Sequence, residues 1–420
     1  MSNDLTLTAP NVAASTPGFA ERQVMAALRR MTAGCLRIEW PGGSIEQLGT
    51  PGADISASIV IRSPDFFRKV MLYGDVGFGE AYVDGDWDTP SIDRVISWAI
   101  LNVEQSPAMT GSKVKSGVLG LLKIANRLRH LLRPNSMKTA RRNISEHYDL
   151  GNDFYKLWLD ETLTYSSALF SRPDMTLQEA QVAKYDALCQ KLQLKASDHV
   201  LEIGTGWGGF ASHAVRHYGC RVTTVTISAE QHASAKERFE KEGIADRVDV
   251  RLQDYRDITG SFDKIASIEM MEALGDAYLE TYCASLHRLL TPQGLVGVQY
   301  ITCPDRRHDA MKKGVDWIQK HIFPGSLLLS IGRVSEAMRK TGDLFLHRLD
   351  DMGPHYARTL HEWWITFNDK REQVQALGFS DAFVRKWNYY LQYCEAAFAM
   401  RNISVVQAIY TRSNNRSIAL

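Results

Sequence analysis

The chain is short of the features that would fix its class at a glance. Its 420 residues hold six cysteines (Cys35, Cys189, Cys220, Cys283, Cys303, Cys394), and no two form a Cys-x-x-Cys pair. That scatter argues against a structural zinc site and against a disulfide framework. Net charge is missing too: 49 basic and 48 acidic residues leave +1 with the histidines neutral. Such a balance provides no global field for nucleic acid, so a charged partner has to be read by a local patch. No uninterrupted apolar run is long enough to span a bilayer. The segment Met1 to Pro17 lacks the basic-then-apolar order of a secretion signal. The expectation is a cytoplasmic protein, and 420 residues predict more than one domain.

Composition divides the chain. Residues 1–18, rich in Thr, Ala, Asn and Pro, predict a disordered tail. Residues 19–105 predict a small α+β domain. Strand-like Cys35–Trp40 and Ser56–Arg62 alternate there with helical Phe66–Leu72 and Ile92–Ile100, and a turn-rich run lies between Gly77 and Trp87. Acidic residues then vanish between Glu104 and Glu146, an interval that holds Lys113, Lys115, Lys123, Arg127, Arg129, Arg133, Lys138, Arg141 and Arg142. Val118, Leu121, Leu122, Ala125 and Leu128 recur there at helical spacing, which makes 106–142 a basic amphipathic linker. Such a stretch suits an anionic membrane surface, each cation contributing about 1 kcal/mol. The alternative is a linker helix whose apolar face docks on the next domain.

From Val200 the pattern alternates strand and helix. Strands are predicted at Val200–Ile203, Arg221–Thr226, Val248–Leu252, Lys264–Ile268 and Leu295–Tyr300, with a last one at Ile403–Tyr410. The alternation implies a mostly parallel α/β sheet covered on both faces. The first of these strands runs directly into Gly204-Thr205-Gly206-Trp207-Gly208-Gly209-Phe210. Glycines there let the backbone turn sharply and approach a ligand. Dinucleotide folds use a similar turn, but here the spacing is Gly-x-Gly-x-Gly-Gly, and Glu202 stands two residues ahead of it. An acid in that place holds the loop or a cationic amino-acid group, and it would serve a pyrophosphate badly. Ser228 to Gln231 has the form of a capping box. Asp254 is a candidate for an adenine amino group or a solvated loop carboxylate.

Several motifs in order carry a resemblance. Asn143-Ile-Ser-Glu-His-Tyr-Asp-Leu-Gly-Asn-Asp-Phe154, Leu163-Thr-Tyr-Ser-Ser-Ala-Leu-Phe170, the glycine loop, Val225-Thr-Ile-Ser-Ala-Glu-Gln231 and Arg251–Asp257 resemble cyclopropane-fatty-acyl-phospholipid synthases and mycolic acid methyltransferases over about residues 20 to 412. The resemblance implies a Rossmann-like seven-stranded methyltransferase sheet over 143–420, with an N-terminal domain that is a candidate for lipid contact. It implies S-adenosylmethionine as cofactor, contacted by Tyr165, Ser166 and the loop from Glu202 to Phe210. Thr226, Gln231, Asp254 and Tyr255 would surround its ribose and adenine. The implied substrate is a cis double bond in an unsaturated phospholipid acyl chain, met at the surface of the inner membrane. Aromatic faces from Tyr165, Phe170, Trp364 or Phe367 are candidates to stabilise the carbocation that methylation leaves.

The ring-forming members hold a bicarbonate base with a cysteine, a glutamate, a histidine and a tyrosine. The corresponding positions here read Ser167, Glu272, Gln299 and Trp364, and three changes in four make bicarbonate doubtful. Glu269 stands where those enzymes usually carry glycine. Three residues apart, Glu269 and Glu272 would share one face of a helical turn, one acting as base and the other orienting it. The structural alternative is a capping Glu272 and a Glu269 paired to a basic neighbour. The catalytic reading predicts a methyl-branched or methylene product, with ring closure as the alternative. A small-molecule methyltransferase and a non-catalytic lipid- or cofactor-binding protein are the competing classes. A homodimer and a reductase partner stay open.

Overall fold

The computed structural model describes residues 17–103 and 150–418. Most of the expected tail, the amphipathic stretch 106–142 and the start of the Asn143–Phe154 motif lie outside the described residues. The chain divides into two units, Met1–Val114 and Lys115–Leu420.

The first unit runs α1 (Phe19–Leu28), β1 (Cys35–Glu39), β2 (Ile45–Gly49), β3 (Ser56–Ile61), α2 (Asp65–Tyr73), α3 (Asp75–Val83), β4 (Trp87–Asp88) and α4 (Ile92–Leu101). Its sheet has the order β2-β1-β3-β4. In β3 the side chains of Ala57, Ile59 and Ile61 are buried in alternation, the period a half-covered strand requires. Trp87 is fully buried against the rings of Phe78 and Tyr82, and its Nε1 donates to the Phe78 carbonyl at 2.9 Å. The run Gly77–Trp87 is mostly helix and not the turn-rich segment its glycines suggested. A Cβ on Gly77 would lie 2.1 Å from the Lys69 carbonyl oxygen, so the glycine is there to let α2 and α3 meet.

The second unit runs α5 (Asn152–Trp158), α6 (Leu177–Lys191), β5 (His199–Ile203), α7 (Gly209–Tyr218), β6 (Arg221–Thr226), α8 (Ala229–Lys241), β7 (Val248–Leu252), β8 (Phe262–Ile268), α9 (Asp276–Leu289), β9 (Leu290–Thr302), α10 (Asp305–Lys313), α11 (Trp317–His321), α12 (Ile331–Thr341), β10 (Leu344–Asp351), α13 (Gly353–Asp369), α14 (Arg371–Ala376), α15 (Asp381–Ala399) and β11 (Ser404–Arg412). Its seven strands lie in the order β10-β11-β9-β8-β5-β6-β7. Strands β5 to β9 are mutually parallel where they pair, and β11 is antiparallel to both β9 and β10. Leu201 and Ile203 join a core with residues of α9 and α12, while Val200 joins a second core with residues of α6 and α7. Successive residues of β5 therefore serve opposite faces, as a strand buried on both sides must. The chain leaves β5 toward β6 and β7, then returns to its other flank with β8. That reversal opens a crevice at the carboxyl ends of the strands, where ligands of open α/β sheets bind.

Candidate active site

The loop that follows β5 enters this crevice. Gly204, Gly206 and Gly208 all have positive φ, at 102°, 52° and 87°. Gly208 is also enclosed, since a Cβ would sit 2.7 Å from the Phe239 ring. Gly206 is the open one: a Cβ there would meet nothing within 4 Å, so its backbone is free for a ligand to approach. Beneath the loop Glu202 is buried, and desolvation pushes its pKa up to about 8. Its Oε2 accepts from Thr224 Oγ1 at 2.6 Å, and Thr224 Oγ1 lies 2.7 Å from Thr205 Oγ1. Glu202 thus holds the loop through two threonines. A cationic or hydroxyl-bearing ligand above it would restore the charge that burial opposes. Trp207 Nε1 donates to Asn152 Oδ1 at 2.8 Å and ties the loop to α5. Phe210 is buried in the core of α6 and α7, and a Cβ on Gly209 would strike the Tyr185 hydroxyl at 2.5 Å. These two positions pack the loop down.

At the end of β6, Thr226 Oγ1 donates to Gln231 Oε1 at 2.9 Å, both residues being buried. Ser228 Oγ accepts from Gln231 N, but the Gln231 side chain turns to Thr226, so only half of the expected capping box forms. Asp254, after β7, is neither solvated nor simply aimed at a ligand. It caps a 3-10 turn through Arg256 N and pairs with the Arg256 guanidinium at 2.6 and 2.8 Å. Tyr255 is buried beside it, and its hydroxyl has no hydrogen-bond partner among the described residues.

Glu269 lies one residue beyond β8. Its φ is +48°, a left-handed conformation that costs a residue with a Cβ about 1–2 kcal/mol. Glycine at this place is what the backbone alone would select, so the glutamate is kept against a conformational penalty. Its backbone N–H continues the ladder to the Gln299 carbonyl at 2.7 Å. Its carboxylate collects three donors, each at 2.8 Å: Ser167 N and Gln299 Nε2 on Oε1, and the Tyr356 hydroxyl on Oε2. Lys184 of α6, fully buried, bonds Ser166 Oγ at 2.7 Å and attracts Glu269 from that side. Desolvation draws the Lys184 pKa down to about 7, opposed by Glu269, Asp160 and Glu202.

Glu272 meets a poorer environment. Its Oε1 accepts from Ile301 N, and its Oε2 has no partner among the described residues. Burial, with Glu269 second, pushes its pKa up to about 8. Desolvation raises Glu269 as well, but its three donors and Lys184 all favour the anion. Burial leaves both carboxyls raised and they titrate as a pair, in which the donors around Glu269 make it the member that ionises first and Glu272 the one that keeps its proton. Glu272 caps no helix.

The other predicted residues fall as follows. Ser167 Oγ donates to the Ala168 carbonyl, and its N–H is already spent on Glu269. Gln299 is buried beside it. Trp364 is away from this cluster: it is half-buried against His361, while Tyr356, two turns earlier on the buried face of α13, reaches Glu269. Tyr165 bonds Tyr390 at 2.8 Å and stands 5.4–5.5 Å from the rings of Tyr155, Trp158 and Trp363. Trp363 in turn lies 6.1 Å from Tyr356, which makes one aromatic wall. Phe170 carries the Arg358 guanidinium 4.0 Å over its ring, and Phe367 packs on Phe154 in the helical core. Neither is available as part of a cation cage. Bicarbonate does not fit here, because the donors around the expected ligand positions are taken by the resident Glu269 carboxylate.

A seven-stranded sheet in this order, with a glycine loop at its reversal point and an acid beneath the loop, defines an S-adenosylmethionine-dependent methyltransferase. The chain belongs to the mycolic acid cyclopropane synthetase family, whose description matches residues 135–408. It is 36% identical over 380 residues to the tuberculostearic acid methyltransferase UfaA1 of Mycobacterium tuberculosis, covering 89% of this chain and 86% of that one. It is 35% identical over 357 residues to the cyclopropane-fatty-acyl-phospholipid synthase of Escherichia coli K12, covering 85% and 88%. The solved structure of the mycolic acid cyclopropane synthase CmaA1 complexed with SAH and CTAB matches with a TM-score of 0.60 and 32% identity, covering 65% of this chain and 98% of that one. S-adenosylmethionine is the cofactor. Among the described residues no helix is long and apolar enough to cross a membrane.

Proposed function

We propose that this enzyme methylates the cis double bond of an unsaturated phospholipid acyl chain, with Glu269 as the base, and yields a methylene or methyl-branched chain. The observation that carries the reading is a glutamate held in left-handed backbone by three donors where its conformation favours glycine. Tyr165, Ser166 and the loop from Glu202 to Gly209 would hold S-adenosylmethionine, which supplies an electrophilic methyl group. An alkene is a weak nucleophile, so the protein contributes alignment and the exclusion of water.

A cation then resides on the acyl chain, and the aromatic wall of Tyr165, Trp363 and Tyr356 stabilises it, by about 2 kcal/mol in a dry site. A hydride shift moves that charge to the carbon bearing the new methyl. Loss of a methyl proton to Glu269 leaves a methylene branch on the chain, which a reductase partner would convert to a methyl branch. Tyr356 and Gln299 orient the carboxylate for this step, and neutral Glu272 adds no second negative charge. Ring closure is the second reading, favoured by the near-equal identity to the Escherichia coli synthase. The basic stretch 106–142 supports a peripheral position at an anionic membrane.

The test uses vesicles of cis-monounsaturated phospholipid and methyl-labelled S-adenosylmethionine. Label in the acyl fraction is the expected result. Label only in a polar product, or none at all, would replace the proposal with one of the competing classes.

A further inference from the structure

Two glutamines interrupt the apolar centre of the sheet. Gln299 of β9 and Gln407 of β11 are direct cross-strand partners, 1% and 0% exposed. Polar side chains in such a place are costly unless every group is paired. Here they are paired in a fixed direction. Lys191, the last residue of α6, donates from Nζ to Gln407 Oε1 at 2.6 Å. Gln407 Nε2 then donates to Gln299 Oε1 at 3.0 Å and to the Lys184 carbonyl at 3.2 Å. Gln299 Nε2 finally donates to Glu269 Oε1 at 2.8 Å and to the Ser167 carbonyl at 3.3 Å.

A primary amide can present either its oxygen or its nitrogen, so an isolated glutamine beside Glu269 would serve a carboxylate or a carboxylic acid equally well. An ammonium has donors only. It forces the first amide to turn its oxygen outward, and that amide forces the second. We propose that Lys191 is a positioning residue: through Gln407 it fixes the Gln299 amide with its N–H toward Glu269 and so holds that carboxylate ionised as the base. The inference rests on the reading of Glu269 as base and names what controls it.

The outer end of the chain is anchored. Lys191 Nζ also pairs with Asp350 of β10 at 2.6 Å, its own side chain 10% exposed and that of Asp350 33% exposed. Arg348 is the other charge that faces Lys191, and it opposes the lysine's charge. Around Glu269 the remaining titratable groups are Lys184 from α6, Glu272 from the turn after β8 and Tyr356 from α13. Lys184 and Lys191 are seven residues apart, so one helix face delivers both cations. One acts beside the serines and the other through the amides.

The experiment compares pH–rate profiles of methyl transfer for the full chain and for Lys191→Met, Gln407→Met and Lys191→Arg. Binding of S-adenosylhomocysteine and thermal unfolding are followed in parallel. Lys191→Met should move the acid limb up by about one pH unit, a tenfold loss of rate below the limb, with activity recovered at higher pH and S-adenosylhomocysteine binding unchanged. Gln407→Met should shift the limb in the same direction, and Lys191→Arg, which keeps a donor-only cation, should restore it. Infrared difference spectra give a readout independent of activity. The protonated-carboxyl signal that Glu269→Gln removes should persist to higher pH in Lys191→Met. An unshifted limb and an unshifted carboxyl signal in both methionine variants would overturn the proposal. Full activity in Glu269→Gln would instead remove the underlying reading of the base. If Lys191→Met does not fold, Gln407→Met and Lys191→Arg decide the question alone.

Discussion

Replacing Glu269 by Gln perturbs the base and little else. The three groups around it all donate to the carboxylate. A glutamine oxygen in the Oε1 place keeps Ser167 N and Gln299 Nε2 satisfied, and its amide nitrogen then faces Tyr356, whose hydroxyl can rotate to accept. Two charge-assisted bonds become neutral ones, at a cost of about 1–3 kcal/mol, offset by no longer burying an anion. Lys184, whose pKa burial has drawn down to about 7, loses a neighbour that opposes that fall and so becomes more readily neutral, which leaves no stranded charge. The fold and the cofactor loop should therefore survive. General-base catalysis contributes typically about 100- to 10,000-fold, and methyl transfer to vesicle acyl chains should fall by that factor. The assay is label incorporation at saturating S-adenosylmethionine, with S-adenosylhomocysteine affinity measured by calorimetry on the same preparation. A variant with normal affinity and a rate within threefold of the parent would refute the assignment.

Tyr356→Phe removes one donor to Glu269, and a bond to a charged group is worth about 1.5–3 kcal/mol. The acid limb of its pH–rate profile should rise. Glu272→Gln mimics the protonated acid, with its oxygen on Ile301 N and its NH2 in the place of the Oε2 proton. The folded pKa of Glu272 is raised, so the native state binds more protons than the unfolded chain, and stability falls as pH rises from about 4.5 to about 8. The variant should therefore unfold at a higher temperature than the parent at pH 8 and show no such gain at pH 4, as read by calorimetry. Gly208→Ala places a Cβ 2.7 Å from Phe239 at a φ of +87°, and should cost about 1–3 kcal/mol and abolish S-adenosylhomocysteine binding.

The catalytic sheet was largely legible because its strands are buried on both faces and alternate with helices, so apolar runs and crossovers announce themselves. Strand β10 was not, since it is an edge strand with only Leu344 fully buried, Leu346 and Leu349 half-buried at uneven spacing, and polar residues over most of the rest. In α3, Gly77 looks like a turn residue locally, and its role is visible only once Lys69 of the neighbouring helix is in place. Within the site, Glu269 and Glu272 stood out as acids at a strand end. The φ of Glu269 that explains the glycine of its relatives belongs to the folded backbone. Tyr356 had a signal that was missed: Tyr356, Leu360, Trp363 and Phe367 recur at helical spacing, which puts Trp364 on the next face around. Lys184 and Gln407 also had one, as polar residues within otherwise buried helical and strand patterns. Their partners come from far along the chain, and spacing alone could not name them.

The most direct test of the account is mass spectrometry of acyl chains from cis-monounsaturated phospholipid vesicles incubated with the protein and S-adenosylmethionine, then hydrogenated under conditions that spare cyclopropanes. A methylene product gains two hydrogens and becomes methyl-branched, which is the result predicted for a chain that uses Glu269 in place of bicarbonate. A one-carbon product that has the mass of the methylene chain and keeps it on hydrogenation is a cyclopropane, and it would contradict that claim.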